Sequence, residues 1–159
     1  FRVASPGTPG QLASVFRDIA RVLEYKGENQ FKVRAYSIAS RIIKDYYEEL
    51  ADVVERGEDL RHIQGIGDAI AQKIGELLST GQLQFFNRIK KDLPEGTFAL
   101  MVLPGIGPRT AARLARDHGI TSVDELERAL RTEGSHCIPG IGPSSVDSIL
   151  LAIESRREQ

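Results

Sequence analysis

A chain of 159 residues with 41% hydrophobic and 27% charged content can build packed cores, as one domain or two small ones. Its formal net charge of −1 argues against an indiscriminate polyanion binder, so a nucleic-acid site would have to be local. The single cysteine, Cys137, excludes an internal disulfide and a cysteine-cluster metal site and fits a reducing cytoplasm, where we expect the protein; no apolar run is long enough to span a bilayer, so no membrane is expected as a partner.

Residues 1–8 read as a disordered lead or an expression remnant, and a chain that starts at Phe1 reads as an excerpt of a longer one. Thr8-Pro9-Gly10-Gln11 reads as a helix start, with Thr8 as cap, Pro9 in the first helical position and Gln11 completing a capping box. Leu12, Val15, Phe16, Ile19 and Leu23 then repeat at helical spacing until Gly27. A second helix is expected from Gln30 to Tyr47, with Tyr36, Ala39, Ile43 and Tyr46 as its buried stripe. A short helix from Glu48 to Arg56, one ending at Thr80 and one over Gln84 to Asp92 follow, the last with Phe85, Phe86 and Ile89 inward. Leu93-Pro94-Glu95-Gly96 is the best candidate boundary, giving parts over 9–93 and 97–156. Beyond it we expect helices over Thr97 to Val102 and Pro108 to His118, one opened by a Ser122 to Glu125 capping box, and a last one through Ile153. Periodicity near 3.6 throughout makes the expected fold all-α, as two small helical subdomains.

One pattern occurs three times. Gly65-Ile66-Gly67 leads into Ala71 and Ile74, Gly105-Ile106-Gly107 into Ala111 and Leu114, and Gly140-Ile141-Gly142 into Val146 and Ile149, all in the same register. Glycine permits positive φ and close backbone approach. The helix that follows starts with amides that have no internal acceptor, at the positive end of the dipole, where phosphate binds readily. No copy has the preceding strand and third glycine of a dinucleotide fold, and no Walker-type Gly-Lys-Ser/Thr occurs. Three hairpins of this kind fit a helix-hairpin-helix protein that grips a nucleic-acid backbone through main-chain amides. Basic residues gather nearby: Lys26, Lys32, Arg34, Arg41 and Lys44 against the single acid Glu28, and Arg109, Arg113 and Arg116 around the second hairpin. His62, His118 and His136 lack ligand spacing.

The order of these parts, from Gln11 to Ile153, with the segment Gly27-Glu28-Asn29-Gln30-Phe31-Lys32-Val33-Arg34-Ala35-Tyr36 and the first two hairpins, resembles the amino-terminal half of bacterial and archaeal family X DNA polymerases. That half joins an 8-kilodalton lyase domain to a helix-hairpin-helix fingers domain. The resemblance implies that Lys73 is the amine that attacks C1′ of a ring-opened 5′-deoxyribose phosphate in base excision repair, forming a Schiff base. It assigns Lys32 and Arg34 to the 5′-phosphate and Tyr36 to a place beside the lyase site. This chain departs from the pattern at Ala69 and Phe85, where many members carry basic residues. The resemblance further implies DNA contacts from Gly65, Gly67, Ala69, Lys73, Gly105, Gly107, Arg109, Arg113, Gly140 and Gly142. It also implies a monovalent cation, sodium or potassium, on the main-chain carbonyls of Arg61, Ile63 and Ile66, and another on those of Met101, Leu103 and Ile106. The lyase chemistry itself requires no cofactor.

The metal-holding Asp-x-Asp of that family's polymerase palm does not occur in these residues. The chain is then either an excerpt of such a polymerase, with a palm or another catalytic domain beyond Gln159, or a freestanding module built from its DNA-gripping half. The readings left open are a lyase using Lys73, a non-catalytic anchor on gapped, nicked or 5′-phosphorylated DNA, and a protein-interaction module that kept the fold without the DNA.

Overall fold

The computed structural model describes residues 8–134, 138 and 141–158, and among them no strand occurs. Gly140, one of the expected contact residues, and residues 1–7 of the expected lead lie outside the described residues. The helices are α1 (Pro9–Tyr25), α2 (Gln30–Asp45), α3 (Tyr47–Glu55), α4 (Asp68–Thr80), α5 (Gln84–Lys91), α6 (Thr97–Met101), α7 (Pro108–His118), α8 (Val123–Glu133) and α9 (Pro143–Arg157). They fall into two compact units, Phe1–Lys90 and Lys91–Gln159. Among the described residues no helix is long and apolar enough to cross a membrane.

In the first unit α1 opens with the reciprocal box read from the sequence: Gln11 N–H donates to Thr8 Oγ1 at 3.1 Å, and Thr8 N–H to Gln11 Oε1 at 2.9 Å. Gly27, at φ +78°, ends the helix, and Asn29 caps α2 by accepting from Phe31 N–H at 2.7 Å. The short connection makes α1 and α2 a helical hairpin, with Leu12, Phe16, Ile19 and Leu23 buried on one helix and Val33, Tyr36, Ala39 and Ile43 on the other. Each buried Leu, Ile, Val or Phe side chain among them contributes roughly 1.5–3 kcal/mol of transfer free energy. Two specific contacts fix the register. The Phe16 and Tyr36 rings stack at 6.0 Å between centroids, and the buried Ser40 hydroxyl donates to the Ala13 carbonyl at 2.8 Å.

Two expectations about this unit fail. Tyr46 is 54% exposed, because α2 stops at Asp45 and Tyr46 takes φ −126°, ψ 31° before α3 begins, which breaks the register of the stripe. Phe85 and Phe86 are half-buried, and only Ile89 of that trio reaches the core. A 3₁₀ turn over Leu60–His62, capped by Asp59 accepting from Arg61 N–H at 2.9 Å, carries the chain into the first hairpin.

In the second unit α7 ends at Gly119, at φ +67°, and α8 opens on Ser122. The expected box is modified. Glu125 N–H donates to Ser122 Oγ at 3.2 Å, but the Glu125 carboxylate accepts from Thr121, from its amide at 3.2 Å and its hydroxyl at 3.0 Å. These bonds hold the Glu125 carboxyl below its ordinary range. Arg131 and Arg157 tie α8 to α9 through Glu127, Glu154 and Asp124, with Glu127 only 12% exposed and its partners open to solvent.

Two glycines of the first hairpin's helix and turn separate backbone requirement from mere presence. Gly65 sits at φ +95°, and a Cβ there would lie 3.1 Å from Ile42 Cδ1 and 3.4 Å from Ile38 Cγ2. Gly75 lies inside α4 with open space around it. Thermal or urea unfolding should show Gly65→Ala destabilised by roughly 1–2 kcal/mol or more. Gly75→Ala should gain about 0.5–1 kcal/mol. Equal effects at the two positions would contradict the turn geometry.

Candidate functional site

The first two hairpin turns share one backbone, and the described part of the third agrees with them. Ile66 N–H donates to the Ile63 carbonyl at 3.1 Å, Ile106 N–H to Leu103 at 3.1 Å, and Ile141 N–H to Ile138 at 3.2 Å. Gly65 and Gly105 take φ +95° and +84°, as the third position of such a turn demands. The isoleucine between the glycines is buried each time, at Ile66, Ile106 and Ile141. The second glycine is extended each time, Gly67 at ψ −176°, Gly107 at 179° and Gly142 at 171°, and is the N-cap of α4, α7 or α9. A glycine N-cap has no side chain to accept from the first turn, and none of the three helices has a side-chain cap bond. Gly65, Gly67, Ala69, Gly105, Gly107, Arg109 and Gly142 are all exposed, so these backbone ends face solvent.

The surroundings of the three ends differ. At the first, Asp68 stands in the first helical position, and Arg61 reaches it at 3.0 Å while also holding Asp59 at 2.7 Å. The guanidinium beside Asp59 lowers that carboxyl to about 2. A carboxylate here suits the helix dipole and opposes an incoming anion. At the second, Pro108 and then Arg109 follow the cap, and the exposed Arg113 lies one turn on. Arg116 is engaged by Asp117 at 3.0 Å. At the third, Ser144, Ser145 and Ser148 stand exposed, and Ser148 donates to the Ser144 carbonyl at 3.2 Å.

Lys73 lies on α4, half-buried, with Nζ 4.7 Å from the centroid of the Phe85 ring. The Phe85 ring stacks on Tyr36 at 6.0 Å and 13°, so Phe16, Tyr36 and Phe85 form a ladder with the amine at its end. The loop that delivers Phe85 is fixed by Glu76, whose carboxylate accepts from Gln84 N–H at 2.9 Å, and by Thr80, whose hydroxyl donates to the Glu76 carbonyl at 2.8 Å. Burial pushes the Lys73 ammonium below its ordinary value, Lys32 and Arg88 push the same way, and Glu76 opposes them.

Of the residues expected around Lys73, the structure brings Lys32 and Tyr36 to it and not Arg34. Two positions apart on α2, Lys32 and Arg34 lie about 200° apart around the helix, and both are exposed. Tyr36 is only 3% exposed, and burial raises its phenol, which keeps it protonated through the neutral range. Sequence reasoning missed Arg88. Its guanidinium stands 5.4 Å from the Phe85 centroid, one turn after the position where Phe85 replaces a basic residue. It also missed Phe31, which is 81% exposed beside Lys32 and offers a flat apolar face. A bulky apolar residue two positions after the Asn29 cap was the available signal.

The cation sites implied by resemblance fall on main chain whose side chains are mostly buried: Ile66, Met101, Leu103 and Ile106 are in the core. The Ile63 and Leu103 carbonyls each accept one turn hydrogen bond, which leaves a second lone pair on the oxygen. Uncharged oxygens in a turn suit a monovalent hard cation.

A helix-hairpin-helix domain model matches residues 9–83, containing the first turn, and a SAM-like helix-hairpin-helix tandem matches residues 99–155, containing the other two. Over 141 residues, 89% of this chain, the sequence is 28% identical to the DNA polymerase/3'-5' exonuclease PolX of Bacillus subtilis (strain 168). The aligned stretch is 24% of that protein, so this chain spans about a quarter of the relative's length. Two fully described turns and the described part of a third lie inside these matches, so the chain carries helix-hairpin-helix elements in both units and resembles a family X DNA polymerase over most of its length.

Proposed function

We propose that this chain holds the sugar-phosphate backbone of gapped or nicked DNA without reading its sequence, as the DNA-binding part of a family X polymerase acting in repair. One observation carries the reading: two fully described turns, and the described half of a third, present glycine-capped helix starts to solvent in the same geometry. Main-chain donors of this kind position a protein on phosphates and carry no base information. The Arg109 and Arg113 side chains reinforce the second turn, and the serines after Gly142 offer hydroxyl contacts at the third. A sodium or potassium ion on the carbonyls of Arg61, Ile63 and Ile66, and on those of Met101, Leu103 and Ile106, would add positive charge next to a phosphate oxygen.

The depressed Lys73 amine supports the further step of 5′-deoxyribose-phosphate removal. The neutral amine adds to the C1′ aldehyde of the opened sugar and water leaves, giving an imine. Loss of a C2′ proton to water then breaks the C3′–O bond and frees the downstream 5′-phosphate, and hydrolysis of the remaining unsaturated imine releases the sugar and regenerates the Lys73 amine. Lys32 and Arg88 repel the ammonium form and attract the phosphate. Tyr36 acts by seating Phe85 under the amine, a positioning role. Phe31 provides a surface on which an unpaired base stacks.

Borohydride treatment of the protein with a one-nucleotide gap bearing a 5′-deoxyribose phosphate should give a covalent protein–DNA band that Lys73→Ala abolishes. A band that survives would move the nucleophile to another amine, Lys32 first. No band, with salt-sensitive binding intact, would leave a DNA anchor only.

The amine's environment is testable without DNA. Reductive methylation followed by mass spectrometry should report a Lys73 titration midpoint below that of exposed lysines. Arg88→Gln removes a cation that favours the neutral amine, so the midpoint should rise and labelling near neutral pH should slow. An unchanged midpoint would remove Arg88 from the site.

A further inference from the structure

Away from Lys73, the first unit carries a second basic feature. A groove of approximately 380 Å³ runs between α1 and α2. Its floor is Gly10, Ala13 and Ser40, and its walls are Arg17, Ser37, Arg41 and Lys44. No carboxylate lines it. The floor residues are small, and the Ser40 hydroxyl is already committed to the Ala13 carbonyl, so an incoming group can approach the backbone closely without breaking a bond. Arg17 rests on Ser14 Oγ at 2.9 Å, a neutral partner.

The spacing on α2 extends the feature. Arg34, Ser37, Arg41 and Lys44 stand at i, i+3, i+7 and i+10, which places them along one face of the helix. The stripe is about 15 Å long at 1.5 Å per residue, the axial span of about four phosphates on one strand of a duplex. Arg34, which the geometry removes from the Lys73 site, belongs here.

Several of the chain's other arginines are neutralised within the chain. Arg56, Arg61, Arg116, Arg131 and Arg157 each meet an acid of the chain. Arg41 and Lys44 are exposed and have no ion pair among the described residues. Of the nearest acids by sequence, Asp18 is held by Arg21 at 2.8 Å, and Asp45, one turn beyond Arg41 at the end of α2, forms no ion pair with it among the described residues. Like charges gathered without a counter-charge repel one another, and a bound polyanion relieves that repulsion.

We infer that the α1–α2 groove and the Arg34–Lys44 stripe form a second track for a phosphodiester backbone, on a face of the first unit distinct from Lys73. An open line of point charges suits a linear polyanion better than a compact metabolite, which would need an enclosed pocket. The inference rests on the DNA-binding reading above and adds a surface to it.

The test is the salt dependence of binding to a gapped duplex with long flanking strands, followed by fluorescence anisotropy. The paired variant Arg41→Gln with Lys44→Gln is compared with the parent and with Arg56→Gln paired with Arg128→Gln, which removes the same charge elsewhere. All four positions are exposed, and circular dichroism checks that each variant is folded. The groove variant should flatten the log–log slope by about 1.4 to 1.8, at 0.7 to 0.9 per contact, and the control pair should leave it unchanged. A parental slope in the groove variant, or an equal loss in the control, overturns the track and leaves DNA binding standing. A parent whose binding shows no salt dependence overturns the DNA reading and the track together.

Discussion

An isoleucine held between two glycines is the constraint on which the rest of this molecule turns. Burying Ile66 or Ile106 pulls the turn down onto its unit, and Gly65 or Gly105 before it then takes a positive φ. In the first unit the seat is Ile38 and Ile42 of α2, and in the second Ile149 stands within 3.9 Å of where a Gly105 side chain would begin. The glycine after the isoleucine caps the next helix without a side chain, so the amide end stays open. Core packing and ligand presentation are thus one event: the side chain that anchors the turn also aims the backbone outward.

Charge is distributed to match. The chain is nearly neutral, yet its cations divide into those engaged by acids and those left to solvent. Arg131 and Arg157 serve to join α8 and α9, and Arg61 is held by Asp59 and Asp68. Arg34, Arg41 and Lys44 lie along one side of α2, while Lys32 and Arg88 converge on Lys73 from another. A net charge near zero therefore conceals local positive fields. At Lys73 those fields and partial burial act together on one amine, and the Tyr36–Phe85 stack fixes where that amine sits.

Much of the architecture was legible in the sequence because its signals are local. Thr8 and Ser122 mark helix starts by chemistry that acts within a few residues, and the three Gly-Ile-Gly turns announce themselves by register. Tyr46 was misread because α2 ends without a glycine or proline, so nothing nearby signals the break. The Ser40 bond to Ala13 spans 27 positions and leaves no trace in either local pattern. Arg88 escaped notice because its relation to Lys73 depends on the α4–α5 loop that Glu76 and Thr80 close. The separation of Arg34 from Lys32 was available in principle, since residues two apart on a helix cannot share a face. There the motif outweighed the geometry.

The most direct measurement of the central claim is the response of the backbone amides to a gapped, 5′-phosphorylated duplex in a nitrogen-15 chemical-shift titration. The account predicts the largest shifts in the amides from Gly65 to Ile70 and from Gly105 to Thr110, excepting Pro108, with the same pattern for duplexes of unrelated sequence. Saturable binding that leaves those two amide segments unmoved would contradict it.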